Sequence, residues 1–429
     1  MQEAVWMTGV GLVTSIGIGK DTFWNAALEG RSGVCTLGWP LLELGQTNTR
    51  IGAPVTGFDP LAHGIPQKDV SLLDVATQYA LAAAREALLD AGFELSLSNP
   101  KRHQYAVQGI DPSRIGVIIG SGIGGLTTFV DTLITWHDTH RRSACNRYGL
   151  PMLIPNAPAA QVAIRYSAQG EVKSISTACA AGTMSIGDAF RLIRSGEADM
   201  VLCGGAESLL NDPEVLALMG FDLLKTMSVR NDAPEKASRP FDKDRDGFVL
   251  SEGAGILVLE REGFARARGA RPYAQVLSYA SNSDAHNMMQ IDPEGHAIEA
   301  MMRQALQRAG IQPSDLHYLN PHGTSTQLND KVESLVLQRL LGDATRLPVS
   351  STKSMTGHAV AASGAFEAIA TGLSLYYGKL HPTINYETPD PACPIDCVPW
   401  VARDAAISLA MTNSYGFGGH NASLVLARV

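Results

Sequence analysis

Three side chains in glycine-bracketed loops could carry acyl-transfer chemistry, and a lysine stands close in sequence to one of them. The first is Cys179, in Lys173-Ser-Ile-Ser-Thr-Ala-Cys-Ala-Ala-Gly182. A short alternating run gives way to small residues, and a helical pattern follows at once through Met184, Ile186, Ala189, Phe190 and Ile193. Cys179 therefore belongs at a strand-to-helix turn, where free backbone N–H groups and the helix dipole favour a thiolate and are expected to lower its pKa. A thiolate is a strong nucleophile and a workable leaving group, as acyl transfer requires. On this segment alone a small buried hydrophobe is an equal reading, the commonest fate of a free cysteine.

The second is His322, in Asn320-Pro-His-Gly-Thr-Ser-Thr326, after a strand ending at Leu319. The end of a strand is where an α/β sheet presents its ligand crevice. The third is His358, which closes Ser350-Ser-Thr-Lys-Ser-Met-Thr-Gly-His358 ahead of a small-residue helix over 359–377. A helix N-terminus disfavours the imidazolium, and a neutral imidazole can donate a hydrogen bond to a carbonyl without adding charge. Taken separately, each histidine suits a structural hydrogen-bonder, and Lys353 a solvated surface charge. Together, a candidate nucleophile, two histidines at element ends and a nearby lysine suggest one site.

The elements that must position them read as α/β, with short β-rich runs alternating with longer helical ones. Strands are expected over 114–119, 200–203, 255–259 and 423–427, and helices over 74–91, 183–194, 296–309 and 330–341. Phe248-Val-Leu-Ser-Glu-Gly-Ala-Gly-Ile-Leu-Val-Leu259 reads as strand, glycine turn, strand, and the stretch from Met411 to Leu426 reads the same way. Two similar halves split near residue 270 account for this echo; two unrelated hairpins would also do so.

The bulk numbers bound the class. The 429 residues are 45% hydrophobic and 18% charged, enough apolar material for a large core. A net charge of −8 leaves no basic footprint for nucleic acid, and an acidic partner would need a local basic patch to dock. Six cysteines in a chain this long make no disulfide framework. Cys393 and Cys397 are spaced like two metal ligands, but no second Cys/His pair lies nearby in sequence, so no metal site is expected. Met1-Gln2-Glu3-Ala4-Val5-Trp6 lacks a basic region followed by an apolar stretch, and no apolar run approaches the ~20 residues of a membrane helix. A cytoplasmic protein with no membrane or nucleic-acid partner is the expectation.

Several motifs converge on one family. Thr177-Ala-Cys-Ala-Ala-Gly182, His322-Gly-Thr-Ser-Thr326, Ser351-Thr-Lys-Ser-Met-Thr-Gly-His358 and Asn413-Ser-Tyr-Gly-Phe-Gly-Gly419 resemble the signature blocks of β-ketoacyl-acyl-carrier-protein synthases I and II. Gly120-Ser-Gly-Ile-Gly-Gly-Leu126, Gly204-Gly-Ala-Glu207 and Ser238-Arg-Pro-Phe-Asp-Lys-Asp-Arg-Asp-Gly-Phe-Val249 agree, and the resemblance covers essentially the whole chain in order.

The resemblance implies a thiolase-like five-layer αβαβα fold of two similar halves, 1–269 carrying the cysteine and 270–429 the histidines. It implies that Cys179 receives an acyl chain from acyl carrier protein as a thioester, with the N–H groups of Cys179 and Phe417 as oxyanion hole. His322 and His358 would bind the malonyl thioester carbonyl and hold the enolate left by loss of CO₂. Lys353 and Glu367 would pair and order the histidines. Thr324 and Thr326 would hydrogen-bond the phosphopantetheine arm, Phe417 would gate the cysteine, and Ile123 would line the acyl pocket. Asp330 and Glu333 would be structural or gating. Arg230, in a match to a family docking region, and Lys68 would meet the acidic carrier. No cofactor is required, because phosphopantetheine arrives on the carrier.

Departures are Pro321 where alanine is usual, Ala361 where glycine is common, Tyr415 in place of phenylalanine, and a stretch over 96–111 that matches no family motif. The pathway, fatty acid or polyketide, and the choice between a homodimer and a heterodimer with a related subunit stay open. A non-catalytic chain-length factor would lack the cysteine, which this chain keeps. A thiolase would need a second cysteine near the C-terminus, and the closing block from Asn413 to Asn421 has none.

Overall fold

The expected apolar runs become strands of one ten-stranded mixed sheet in a computed structural model of the chain. Residues 3–39, 42, 45, 47–211 and 215–429 are described, so Met1 and Gln2 of the opening segment lie outside the described residues. The strands are β1 (Val5–Thr14), β2 (Gly17–Ile18), β3 (Ile115–Gly120), β4 (Val172–Lys173), β5 (Met200–Glu207), β6 (Gly253–Arg261), β7 (Ala274–Ser283), β8 (Tyr318–Asn320), β9 (Leu409–Gly416) and β10 (His420–Ala427). They run in the order β8-β9-β10-β7-β1-β6-β5-β3-β4, with β2 paired to β1.

Alternation along the strands explains the layers, because successive side chains point to opposite faces. On β6, Ala254, Ile256 and Val258 face an outer core with helices α1 (Val75–Asp90) and α3 (Ala157–Arg165). Between those two helices in sequence lies α2 (Leu126–Thr139). Leu257 and Leu259 face a middle core that holds α4 (Ala181–Arg194) and α7 (Ser363–Tyr377). On β10, Ala422, Leu424 and Leu426 face that same middle core, and Val425 faces a third core. The third core holds α5 (His296–Ala309) and α6 (Gln327–Leu341). Helix, sheet, helix, sheet, helix: this is the five-layer arrangement the resemblance implies.

The strand pairing repeats itself. β3 lies parallel to β5, β5 antiparallel to β6, and β6 antiparallel to β1. β8 lies parallel to β9, β9 antiparallel to β10, and β10 antiparallel to β7. The middle helices echo each other too: each follows a 3₁₀ turn whose first residue has positive φ, Ala178 at 48° and Val360 at 45°. They cross at glycines. A Cβ on Gly182 would clash with the Ala361 carbonyl, and one on Gly364 with Thr183.

The sequence echo needs one correction. β6 and β10 occupy equivalent places, but 248–252 is no strand paired to β6. Those residues make isolated bridges, Phe248 with Met227, Leu250 with His358 and Ser251 with Ala53, because other segments compete for their backbone groups. Two helices start earlier than expected, α4 at Ala181 and α6 at Gln327, whereas α7 starts at Ser363 and not at 359, so a 3₁₀ turn over Val360–Ala362 separates His358 from the helix. No helix among the described residues is long and apolar enough to cross a membrane.

Candidate active site

Cys179 sits in the 3₁₀ turn Ala178–Ala180 that opens α4, buried in the middle of the molecule. Its sulfur lies 3.0 Å from His358 Nε2. The nearest ligand atoms of Cys179, His322 and His358 all fall within 4.8 Å of one another, and the two imidazole rings meet edge to face at 5.4 Å. All three residues line one cavity of about 230 Å³.

Each group is held by a different element. The backbone N–H groups of His322 and Gly323 donate to Glu333, on α6, at 2.9 and 2.6 Å. His358 is fixed by its backbone, its N–H donating to Val249 O at 2.8 Å while its carbonyl accepts from Ser251 N at 3.0 Å. Its Nδ1 is 3.0 Å from the Ser363 hydroxyl, which also accepts from Ala359 N. A hydroxyl both donates and accepts, so Ser363 supports either neutral tautomer of His358. The backbone N–H groups of Phe417 and Cys179 stand close enough to the Cys179 sulfur to favour its thiolate form. Gly416 makes that approach possible, since a Cβ there would lie 2.6 Å from Thr177 O and 3.2 Å from Cys179 N.

Lys353, fully buried, is no surface charge. Its Nζ donates to His322 O at 2.7 Å, lies 3.3 Å from His322 Nδ1, and pairs with Glu367. An ammonium has no lone pair, so Nδ1 of His322 must accept and the ring proton sits on Nε2. Burial, then the charge of Lys353, holds both histidines well below the ordinary histidine pKa, with His358 adding to the effect on His322. The pair therefore offers neutral rings, and His322 a defined N–H. The same contact disfavours a metal ion, which would need that protonated nitrogen and would meet a neighbouring cation.

The lowered pKa expected for Cys179 is not found. Burial pushes the thiol up to about 12; Lys353 opposes this, the Glu207 carboxylate adds to it, and the two N–H groups also oppose it. Among the described residues, Cys393 and Cys397 form no cluster of three ligands.

Family models of the β-ketoacyl synthase N-terminal and C-terminal domains match residues 2–265 and 273–387. The chain belongs to the β-ketoacyl synthase family. It is 38% identical over 428 residues to 3-oxoacyl-[acyl-carrier-protein] synthase 2 of Synechocystis, covering 100% of this chain and 98% of that one. It is 40% identical to the protein of the same name from Staphylococcus aureus, covering 99% and 98%. Among solved structures, a β-ketoacyl synthase from Burkholderia phymatum superposes with a TM-score of 0.89 at 34% identity. A type II polyketide ketosynthase complex with its acyl-carrier protein, bound to a hexaketide, gives 0.88 at 34%; both cover 100% of each chain.

Other residues singled out in this β-ketoacyl synthase stand at different distances from the cavity. Thr324, Thr326 and Phe417 line the cavity, the two hydroxyls 3.0 Å apart. Lys353, Glu367, Glu333 and Asp330 stand behind it; Asp330 accepts from Phe241 N at 2.9 Å and lies 3.6 Å from Arg245, tying two segments together. Ile123 packs in the apolar cluster around Cys179 but is not on the wall of this cavity. Arg230 is half-buried four residues from Thr226, a cavity residue, and donates to Asp244 O at 3.0 Å. Lys68 lies apart from all of these, exposed on the outer helical layer, with its Nζ on Lys101 O at 2.7 Å.

Sequence reasoning missed Ser363, Phe221, Phe248 and the stretch 289–291, which all touch the site. It quoted Glu207 only within a family block. That carboxylate accepts from the N–H groups of Gly122, Ile123 and Ala361 and is held up to about 7 by burial. A lone acidic residue ending an otherwise apolar strand was the signal.

Proposed function

We propose that this chain is a β-ketoacyl-acyl-carrier-protein synthase that condenses malonyl-carrier protein with an acyl chain held on Cys179. The observation that carries the reading is the sulfur 3.0 Å from His358 Nε2, with His322 in the same cavity. In the first half-reaction the Cys179 sulfur attacks the acyl-carrier thioester. Its proton passes through His358 Nε2 to the departing carrier thiolate. In the second, the malonyl thioester oxygen accepts hydrogen bonds from His322 Nε2–H and from His358, whose ring proton has moved from Nδ1 to Nε2, the other neutral tautomer that the Ser363 hydroxyl supports. The bond to CO₂ breaks and its electron pair enters the enolate. The enolate carbon attacks the Cys179 thioester, and the N–H groups of Cys179 and Phe417 hold the oxyanion; such a donor is worth roughly 10²–10³ in rate. The C–S bond then breaks, releasing the 3-ketoacyl product, and the sulfur takes up a proton.

Lys353 and Glu367 order His322, and Thr324 and Thr326 receive the phosphopantetheine arm. The chemistry needs no metal or organic cofactor, and the enzyme works in the cytoplasm. The repeated strand pairing and the two equivalent turn–helix units support division into halves at 269/270. The polypeptide pairs with a second subunit, a copy of itself or a related chain. Support comes from β4, an edge strand, and from the exposed apolar side chains of Leu133 and Trp136 on α2 and nearby Leu150. Pairing with a chain-length factor has a specific precedent in a ketosynthase from Xenorhabdus doucetiae, TM-score 0.81 at 26% identity, solved in complex with its factor.

Separate half-reaction assays test the roles. His322→Ala should retain acyl loading from acyl-carrier protein and lose condensation with malonyl-carrier protein. Undiminished condensation by that variant, or a preference for acetyl-CoA over malonyl-carrier as extender, would refute the assignment.

A further inference from the structure

Nδ1 of His358 has one hydrogen-bond partner among the described residues, the hydroxyl of Ser363 at 3.0 Å. Ser363 is buried and opens α7, directly after the 3₁₀ turn Val360–Ala362. The turn folds Ser363 back against the residues before it, and its oxygen also accepts the Ala359 N–H at 2.8 Å. Close packing fixes the place of this hydroxyl. At the next residue, Gly364, a Cβ would lie 2.3 Å from the Thr183 hydroxyl on α4. The His358 ring is held as well, edge to face with Phe248 at 5.4 Å and with Nε2 3.0 Å from the Cys179 sulfur. A continuous chain of hydrogen-bonding groups thus runs from the Ala359 N–H through Ser363 and the ring to the sulfur.

A neutral imidazole carries one ring proton, and the two half-reactions need it on opposite nitrogens. Loading needs a free lone pair on Nε2 to take the thiol proton, so the ring proton sits on Nδ1. Condensation needs Nε2–H to hold the malonyl thioester oxygen, so Nδ1 carries the lone pair. Burial and the charge of Lys353 keep the ring neutral, and the choice lies between tautomers rather than between charges. Whatever faces Nδ1 must then accept in one half-reaction and donate in the other. A backbone N–H can only donate and a carbonyl can only accept; a hydroxyl does both by rotating about its C–O bond. Ser363 can keep one lone pair on the Ala359 N–H in either state and turn its second lone pair or its proton toward Nδ1.

We propose that Ser363 is a positioning residue whose hydroxyl lets His358 change tautomer between the two half-reactions. This rests on the condensing-enzyme reading above and adds to it a group that touches no substrate. The change of tautomer is proton-neutral: Nε2 takes one proton from water and Nδ1 releases one to water, by way of the imidazolium. A purely structural Ser363, tying the turn to the start of α7, would favour neither tautomer and would serve both half-reactions alike.

The test compares the full-length protein with Ser363→Ala. That variant removes the acceptor for Nδ1–H and leaves beside the turn the Ala359 N–H, which can only donate. Single-turnover loading of Cys179 from acyl-carrier protein should slow about tenfold, the worth of one buried hydrogen bond. Condensation with malonyl-carrier protein, by variant enzyme loaded beforehand through long incubation, should be within about twofold of wild type, because its tautomer is the one the variant keeps. Nitrogen NMR shifts of histidine-labelled protein at about pH 8 should place the His358 proton on Nδ1 in the wild type and on Nε2 in Ser363→Ala. Unchanged loading, equal slowing of both half-reactions, or the same tautomer in both proteins would overturn the proposal. If the wild-type protein neither loads nor condenses, the condensing-enzyme reading fails instead, and the NMR shifts still decide whether Ser363 sets the tautomer.

Discussion

A buried thiol beside two neutral imidazoles behaves differently from a preformed thiolate–imidazolium pair. With the Cys179 pKa near 12, the thiolate fraction is small at neutral pH and grows about tenfold with each pH unit. Alkylation by iodoacetamide should therefore climb log-linearly from about pH 6 to about pH 9; a plateau near neutrality would show a preformed ion pair. Behind the rings, Lys353 and Glu367 form a charge pair almost wholly out of solvent. Removing one partner leaves a buried charge uncompensated, so Lys353→Met should lower unfolding free energy by ~3–5 kcal/mol. The double variant with Glu367→Gln should recover much of it in the same urea titration. The candidate catalytic side chains were legible because each sits in a loop with unusual local chemistry. The thiol's pKa was not, since the helix mouth visible in the sequence favours a thiolate while the burial that opposes it comes from distant residues such as Phe248 and Val360.

At the scale of elements, the site depends on backbones that approach closely. Gly416 lets the end of β9 lie against the turn that carries Cys179, which brings the Phe417 N–H to the sulfur. Gly416→Ala should lower the condensation rate by roughly 10²–10³, the worth of one oxyanion donor, with the fold intact by circular dichroism. At the crossing of α4 and α7, Gly182→Ala meets a carbonyl that has nowhere to go, and overpacking of this kind costs ~1–3 kcal/mol in denaturant unfolding. Helix and strand cores were readable from periodicity. The pairing of 248–252 with three separate segments was not, because isolated bridges leave no periodic trace. Taken alone, the residues around Lys353 did not distinguish it from a surface lysine, and only the resemblance placed it in the site, since its burial follows from α7 and β8 closing over it.

Across the whole molecule, buried ionisable groups set opposing pH limits on stability. Glu207 and Glu252 are held up to about 7 by burial. Their stabilising effect is full below the ordinary glutamate pKa of about 4.5 and is lost as pH rises to about 7. His322 and His358 are depressed, so their contribution is present above about 6.5 and is lost as pH falls. Glu252→Gln, away from the cavity, should flatten the decline in unfolding free energy between about pH 4.5 and about pH 7. The two-half architecture joins a cysteine from one half to histidines from the other, and acyl transfer to Cys179 is the event on which every later step depends. Intact-mass measurement after incubation with acyl-carrier protein tests it directly. The account predicts a gain equal to one acyl group, mapped to Cys179 and absent from Cys179→Ala. No gain, or acylation and product formation that persist in Cys179→Ala, would contradict it.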